Sequence, residues 1–254
     1  MNHNKSPQKG SKIKATELHK IIADHQKWLQ TDGKNGQRAV LHGANLSHCN
    51  LQQINLRSAS LKGVNLEGAN LRCANLQMAD LQEARLCKAN LQWSIFSQSN
   101  LESANLAQAH LQFADFSKAI LDNACLEKSF QHNAYFSEAC LHSANLDEAN
   151  LPYTDFKSAD LSKASLRGAT IQLANLSGAN FAGAFICKAR ILSSNFQNAN
   201  LRRCHISEAD FEKVNFHRAD FGNANCHKSF FKACDFSEAN LNGIDPDLIE
   251  AASA

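Results

Sequence analysis

Along this chain an apolar position returns every fifth residue. From Leu41 to Leu241 the register never slips, and of 41 centres all are Leu, Ile or Phe except Gln131 and Cys226. Two residues before each centre sits a small residue, Ala in 29 cases, and just before the centre Asn or Asp stands in 25 cases, as in Ala44-Asn45-Leu46. A strand alternates sides every two residues and a helix repeats near 3.6, so neither carries a period of five across this segment. A short extended piece followed by a turn does. The small residue and the centre then point inward, the Asn or Asp points outward, and the next two residues turn a corner, where Asn, Asp, Ser and Gly can bond their own backbone. One such unit buries almost nothing, so only stacking of successive windings makes a core.

Phenylalanine shows how many units close one winding. Seven of the 11 Phe centres, at 96, 116, 136, 156, 196, 216 and 236, share one phase of a 20-residue period. A coil with four sides, one lined by a Phe column, accounts for that bias. The same side carries the largest inward residues at the small position, among them Ile54, Thr154 and Val214. About ten coils at ~4.8 Å each give a rod about 50 Å long.

The A(D/N)LXX pattern, as in Ala104-Asn105-Leu106-Ala107-Gln108 and Ala159-Asp160-Leu161-Ser162-Lys163, resembles the pentapeptide repeat family over residues 37–243. The resemblance implies an all-β solenoid, a right-handed quadrilateral β-helix. It also implies an alternative function, since some family members give quinolone protection by mimicking DNA and binding DNA gyrase or topoisomerase.

The ends read as caps. Residues 1–12 are expected to be a disordered basic tail. Residues 13–36 form a helical cap, with Leu18, Ile21, Ile22, His25, Trp28 and Leu29 on one helical face and Gly33 and Gly36 ending the run. The stretch His25–Leu46 is similar to a leader seen before many pentapeptide arrays. The repeat fills 37–243. In 244–254, Asp245-Pro246-Asp247-Leu248-Ile249 predicts a short closing α-helix with an N-cap and a Pro at the first helical position.

Charge narrows the function. Residues 1–40 hold eight Lys/Arg against three Asp/Glu, while 41–241 hold 18 of each sign. A mimic of duplex DNA needs a dense negative surface, and Arg202, Arg203, Lys213, Arg218, Lys228 and Lys232 load the last coils with positive charge. That argues against the mimic, and the sequence gives no pattern for nucleic acid as a partner. No apolar stretch suggests a signal peptide or a membrane span. Nine cysteines, an odd number without paired CxxC spacing, suit a reducing cytoplasm. No phosphate-loop, dinucleotide or metalloprotease motif occurs, and the His residues fall at different phases. The expectation is therefore no enzyme, no cofactor and no metal.

The outward positions carry the remaining signal. The second corner residue on one side reads Trp93, Phe113, Asn133, Tyr153, Leu173, each 20 residues from the last, with Ile95 and Tyr135 around the next corner. A contiguous exposed apolar patch marks an interface, and Trp and Tyr are favoured anchors; the other reading is that these rings fold over their neighbours. Beside the stripe, five successive positions that usually hold Asn or Asp become Ile120, Cys125, Phe130, Tyr135 and Cys140, and the centre Gln131 replaces Leu. Either Gln131 is a buried amide needing hydrogen-bond partners, or a local bulge swaps Phe130 inward and Gln131 outward. Trp93, Ile95, Phe113, Phe130, Tyr135, Tyr153 and Leu173 are the candidate residues for a protein partner, a second copy of the chain included, and the expected function is a non-catalytic binding or scaffold module.

Overall fold

The computed structural model describes residues 13–244. Each pentapeptide pairs in parallel with the one 20 residues on, from Val40 with Ser60 to Asp220 with Asn240. Four pentapeptides therefore close one coil, and the chain winds as a right-handed quadrilateral β-helix. On one side the pairing lengthens into five short strands, β1 (Asn150–Pro152), β2 (Thr170–Gln172), β3 (Arg190–Leu192), β4 (Asp210–Glu212) and β5 (Phe230–Lys232), stacked in chain order. The register places Leu151, Ile171, Ile191, Phe211 and Phe231 in one column.

Inward residues match the five-residue pattern. Leu46, Leu106, Leu146 and nearly all the Ala positions are sealed from solvent. Down the Phe column, Phe96, Phe116, Phe136 and Phe156 stack at 4.8, 4.9 and 5.0 Å between ring centroids, the spacing of one coil on the next.

The backbone leaves few donors unused. The N–H of each centre reaches the next coil, as Leu46 to the Asn65 carbonyl at 2.7 Å, and that of the second corner residue does the same, as His48 to Glu67 at 2.9 Å. The N–H before the centre reaches the coil below, as Asn65 to Ala44 at 2.9 Å, and the small residue closes the turn, as Ala44 to Leu41 at 3.1 Å. That leaves the first corner N–H. The outward Asn or Asp takes it: Asn105 Oδ1 accepts from Ala107 at 3.0 Å, and Asn145 Oδ1 from Asp147 at 2.9 Å. The repeat therefore favours Asn or Asp at this point because buried or half-buried backbone donors need acceptors.

Every second corner residue, from Gly43 to Gly243, has positive φ. Only seven are Gly; Trp93, Phe113, Lys118 and Glu138 adopt the left-handed region as readily as Ser or Asn. A closed turn with its third residue left-handed requires this. The 41 positions include no Val, Ile, Thr or Pro, the residues for which this conformation costs most or is closed. From Leu151 upward the corner after β1 to β5 opens: Thr154, Ser194, Val214 and Cys234 no longer donate to the carbonyl three residues back, whereas Ala134 still donates to Gln131 at 2.9 Å.

The helical cap is α1 (Ala15–Gln30), with the expected face turned to the first coil: Leu18 and Ile21 pack against the core and His25 is fully buried. Gly36 cannot be replaced by a residue with a Cβ, which would lie 2.2 Å from the Asp24 carbonyl oxygen at a φ of +75°. His25 fastens the cap. Its Nδ1 accepts the Ala39 N–H at 3.1 Å, and its ring stacks on Trp28 at 5.7 Å. Burial lowers its pKa below the ordinary 6.5; the Arg57 carbonyl opposes this and the Arg38 charge adds to it. The folded pKa is depressed, so the unfolded chain takes up a proton first as pH falls. Docking is thus complete above pH 6.5 and weakens as pH falls from there toward the folded pKa. Hydrogen exchange along α1 should accelerate relative to the coils between pH 7.5 and 5, and a His25→Gln variant should lose that dependence. The predicted tail 1–12 and the closing helix at 245–249 lie outside the described residues.

Candidate functional site

All seven candidate residues stand at the surface around one corner of the rod, between the side bearing Leu91 and Leu111 and the side bearing Phe96 and Phe116. The backbone register puts second corner residues one above another, so Trp93 lies flat on Phe113, with centroids 4.0 Å apart and planes 3° apart. One coil on, the line does not continue through Asn133. The ring at that level is His132, the first corner residue, edge-on to Phe113 at 6.0 Å and tilted against Tyr153 at 5.2 Å. Leu173 extends the line with 44% of its surface exposed. Phe130 stacks on His110 at 5.1 Å on the adjoining side, while Ile95 and Tyr135 stand on the other. Trp93, Tyr135 and Tyr153 are each about half exposed, at 50%, 49% and 49%. The rings therefore do both things the sequence allowed. They cover one another's faces and present their edges outward, forming an aromatic edge along the rod.

The same coil breaks the backbone account. With Ile120, Cys125, Phe130 and Tyr135 in place of Asn or Asp, the N–H groups of Asp122, Glu127, His132 and Ser137 find no acceptor among the described residues. After Cys140 the gap is filled from below, where Asp122 Oδ1 accepts the His142 N–H at 3.0 Å. The bulge reading fails. Gln131 is wholly buried and Phe130 is 42% exposed. The ladder passes through both without a slip, Gln131 N–H reaching the Asn150 carbonyl at 2.9 Å and Phe130 N–H the Ala109 carbonyl at 3.0 Å. The inward column here offers space for a side chain of Leu length, which Gln fills, and a bulge would have disrupted the ladder locally. The amide Nε2 donates to Ser129 Oγ at 2.7 Å, and Oε1 has no partner.

Among the described residues no group of His, Cys, Asp and Glu could hold a metal ion. Burial pushes the Cys204 and Cys226 thiols up to about 12, far from the thiolate that reacts. Charge is polarised along the rod: residues 41–156 hold seven Lys/Arg against 11 Asp/Glu, and residues 157–241 hold the reverse. The sequence reading noted the basic end and missed the acidic one, because it summed the repeat as a whole.

The model of a family described as pentapeptide repeats matches this chain in overlapping stretches that run from residue 37 to residue 245. Comparison with curated protein sequences finds no match. Among solved structures, HetL, a pentapeptide repeat protein involved in heterocyst differentiation regulation from the cyanobacterium Nostoc sp. strain PCC 7120, is 26% identical over 91% of this chain and 98% of its own, with a TM-score of 0.41. QnrB1, a plasmid-mediated fluoroquinolone resistance protein, is 16% identical over 66% of this chain and 84% of its own, with a TM-score of 0.44. A pentapeptide repeat protein from the thylakoid lumen of Arabidopsis thaliana is 31% identical over 41% of this chain and 66% of its own, with a TM-score of 0.20. With the family model spanning the whole of the stacked coils, the chain belongs to the pentapeptide repeat family.

Proposed function

We propose that this protein is a non-catalytic binding module that presents its aromatic edge to a protein partner. One observation carries the reading: the half-exposed rings Trp93, Tyr135 and Tyr153 gather on one corner with Phe113 and Phe130, where large rings anchor interfaces. The unused N–H donors of His132 and Ser137 lie in the same patch and suit a partner's carbonyl groups. Free cysteines throughout the described residues support a reducing compartment, the cytoplasm. No described helix is long and apolar enough to cross a membrane. The gyrase-binding DNA mimic has less support, because the coils from residue 157 on carry more positive than negative charge and would repel a site built for duplex DNA.

The test replaces Trp93, Phe113 and Tyr153 together by Ser. Ser58, Ser103, Ser143 and Ser158 already occupy the equivalent corner with φ between 55° and 59°, so the fold tolerates the change. A protein captured from lysate by the wild type would be purified and titrated against both forms. Each anchor is worth about 2 kcal/mol or more, so the affinity should fall at least ~100-fold. Equal affinity would remove the aromatic edge from the binding surface.

A further inference from the structure

We propose that the partner brings arginine or lysine side chains to the aromatic edge. This rests on the binding role just given and specifies the chemistry of the occupant. The observation is a column of outward residues, Ile95, Asp115, Tyr135, Asp155 and Asn175, each paired in parallel with the next. Tyr135 therefore stands one coil above one carboxylate and one coil below another, about 4.8 Å from each along the axis. Among the described residues no ring packs on Tyr135, unlike Trp93 or Phe130, which are covered by Phe113 and His110.

The two carboxylates are not required by the fold. At this position Asn and Asp cap the corner equally well: Asn75 Oδ1 accepts from Gln77 at 3.0 Å, Asp115 from Ser117 at 2.9 Å, Asp155 from Lys157 at 3.0 Å and Asn195 from Gln197 at 3.0 Å. Asp in place of Asn thus leaves the corner cap unchanged and adds a charge. At Asp155, Oδ1 also accepts from Asn175 Nδ2 at 2.9 Å and Oδ2 from the Ser137 hydroxyl, contacts an Asn can keep by donating its own Nδ2 to Ser137 Oγ. Asp147 and Asp220 find Arg167 and Arg202. Asp115 and Asp155 form no ion pair with Lys or Arg among the described residues. The Ser137 hydroxyl donates to Asp155 Oδ2 at 2.6 Å and holds that carboxylate beside the Tyr135 ring. From Gln92 to Asp155 the outward positions of these two sides, and of the corner between them, include no Lys or Arg; Lys118, Lys128 and Lys157 stand just beyond the rim, the first two paired with Glu138 and Glu148.

Surplus negative charge beside an open aromatic face selects a cation. A guanidinium can lie on the ring within ~6 Å of its centroid, while its edge donates to a carboxylate in charge-assisted hydrogen bonds. An acidic segment would be repelled, and a neutral apolar one would leave both carboxylates desolvated without a counter-charge. The fitting occupant is an extended protein segment in which Arg or Lys alternates with apolar residues.

The experiment uses the full chain and three labelled peptides read by fluorescence anisotropy: Arg-Leu-Arg-Phe-Arg-Leu, and the same peptide with Gln or with Glu at the Arg positions. The Arg peptide should bind at least tenfold more tightly than the Gln peptide, and the Glu peptide weakest. An Asp115→Asn, Asp155→Asn double variant, which keeps both corner caps and should melt with the wild type, should lose at least tenfold toward the Arg peptide and nothing toward the Gln peptide. Unchanged binding of the Arg peptide by the double variant overturns the proposal, as does equal binding of the Arg and Gln peptides. If in that last case the Trp93→Ser, Phe113→Ser, Tyr153→Ser variant binds neither, the aromatic edge remains a docking surface and only its preference for cations falls.

Discussion

Leu106→Asp should abolish the single cooperative melt of the rod. Leu106 is wholly buried, and its N–H is bonded to the Cys125 carbonyl at 2.7 Å. Removing the side chain forfeits about 2–5 kcal/mol of packing, and a carboxylate in that place has no partner to offset its desolvation, which costs several kcal/mol more. Together these match the whole stability of an ordinary domain, about 5–15 kcal/mol. Because each coil touches only its neighbours, the damage should appear as loss of the coils around residue 106, with any surviving structure confined to blocks on either side. Circular dichroism across a thermal scan, with hydrogen exchange to locate the loss, checks this. A native-like cooperative transition in the variant would mean that position 106 does not face the core.

Gln131→Leu should act in the opposite direction and stabilise the protein by about 2–4 kcal/mol. The amide sits in a column whose neighbours along the axis are Leu111 and Leu151, all fully buried. Its Oε1 has no partner, and an unsatisfied buried acceptor costs about 1–3 kcal/mol. Turning the amide over would only leave the two-donor end unpaired instead. Leucine removes that cost and adds apolar burial worth about 1–2 kcal/mol. Ser129 tolerates the exchange, because its hydroxyl still donates to the Leu126 carbonyl at 2.6 Å. Urea denaturation should show a higher midpoint with an unchanged slope. A lower midpoint would show that the amide oxygen is well bonded and that Gln131 holds this coil together.

These two positions also show how far the sequence could be read. Leu106 obeys the five-residue rule; that rule gave the coil, the 20-residue phase of Phe its four sides and Phe column, and helical spacing the apolar face of α1, since all of these follow from which residues avoid water. Gln131 breaks the rule, and pattern alone left two outcomes open. The ladder decided between them: its parallel bonds continue through Phe130 and Gln131, and losing them would cost more than one orphaned oxygen. The left-handed corner was legible in principle from the absence of Val, Ile, Thr and Pro at the second corner position, a signal carried by missing residues and so easily passed over. The opening of the corners after Leu151 was not legible. Ile54 and Ser94 occupy the same place as Thr154 and Ser194 yet keep the closed turn, donating to Leu51 at 3.2 Å and Leu91 at 3.1 Å, so side-chain size does not set the choice. At the candidate site, Trp93 lies on Phe113 as their 20-residue spacing implies, but the expected line does not pass through Asn133. His132 was missed because a fixed period places backbones and not the reach of a side chain: the imidazole bridges from the neighbouring position to a level where Asn133 is too short to touch either ring.

The four-sided coil also sets a bearing. Each pentapeptide turns the chain through a quarter of a revolution, so the direction in which the aromatic edge points relative to α1 is set by a count. Deleting residues 57–61, one pentapeptide between the cap and Trp93, would keep every later ladder partner 20 residues apart and swing the edge about 90° around the axis. Deleting a full coil, residues 57–76, would restore the bearing and shorten the rod between cap and edge by ~4.8 Å. The protein works as a threaded shaft, in which insertions of five residues steer a surface and insertions of twenty only move it along.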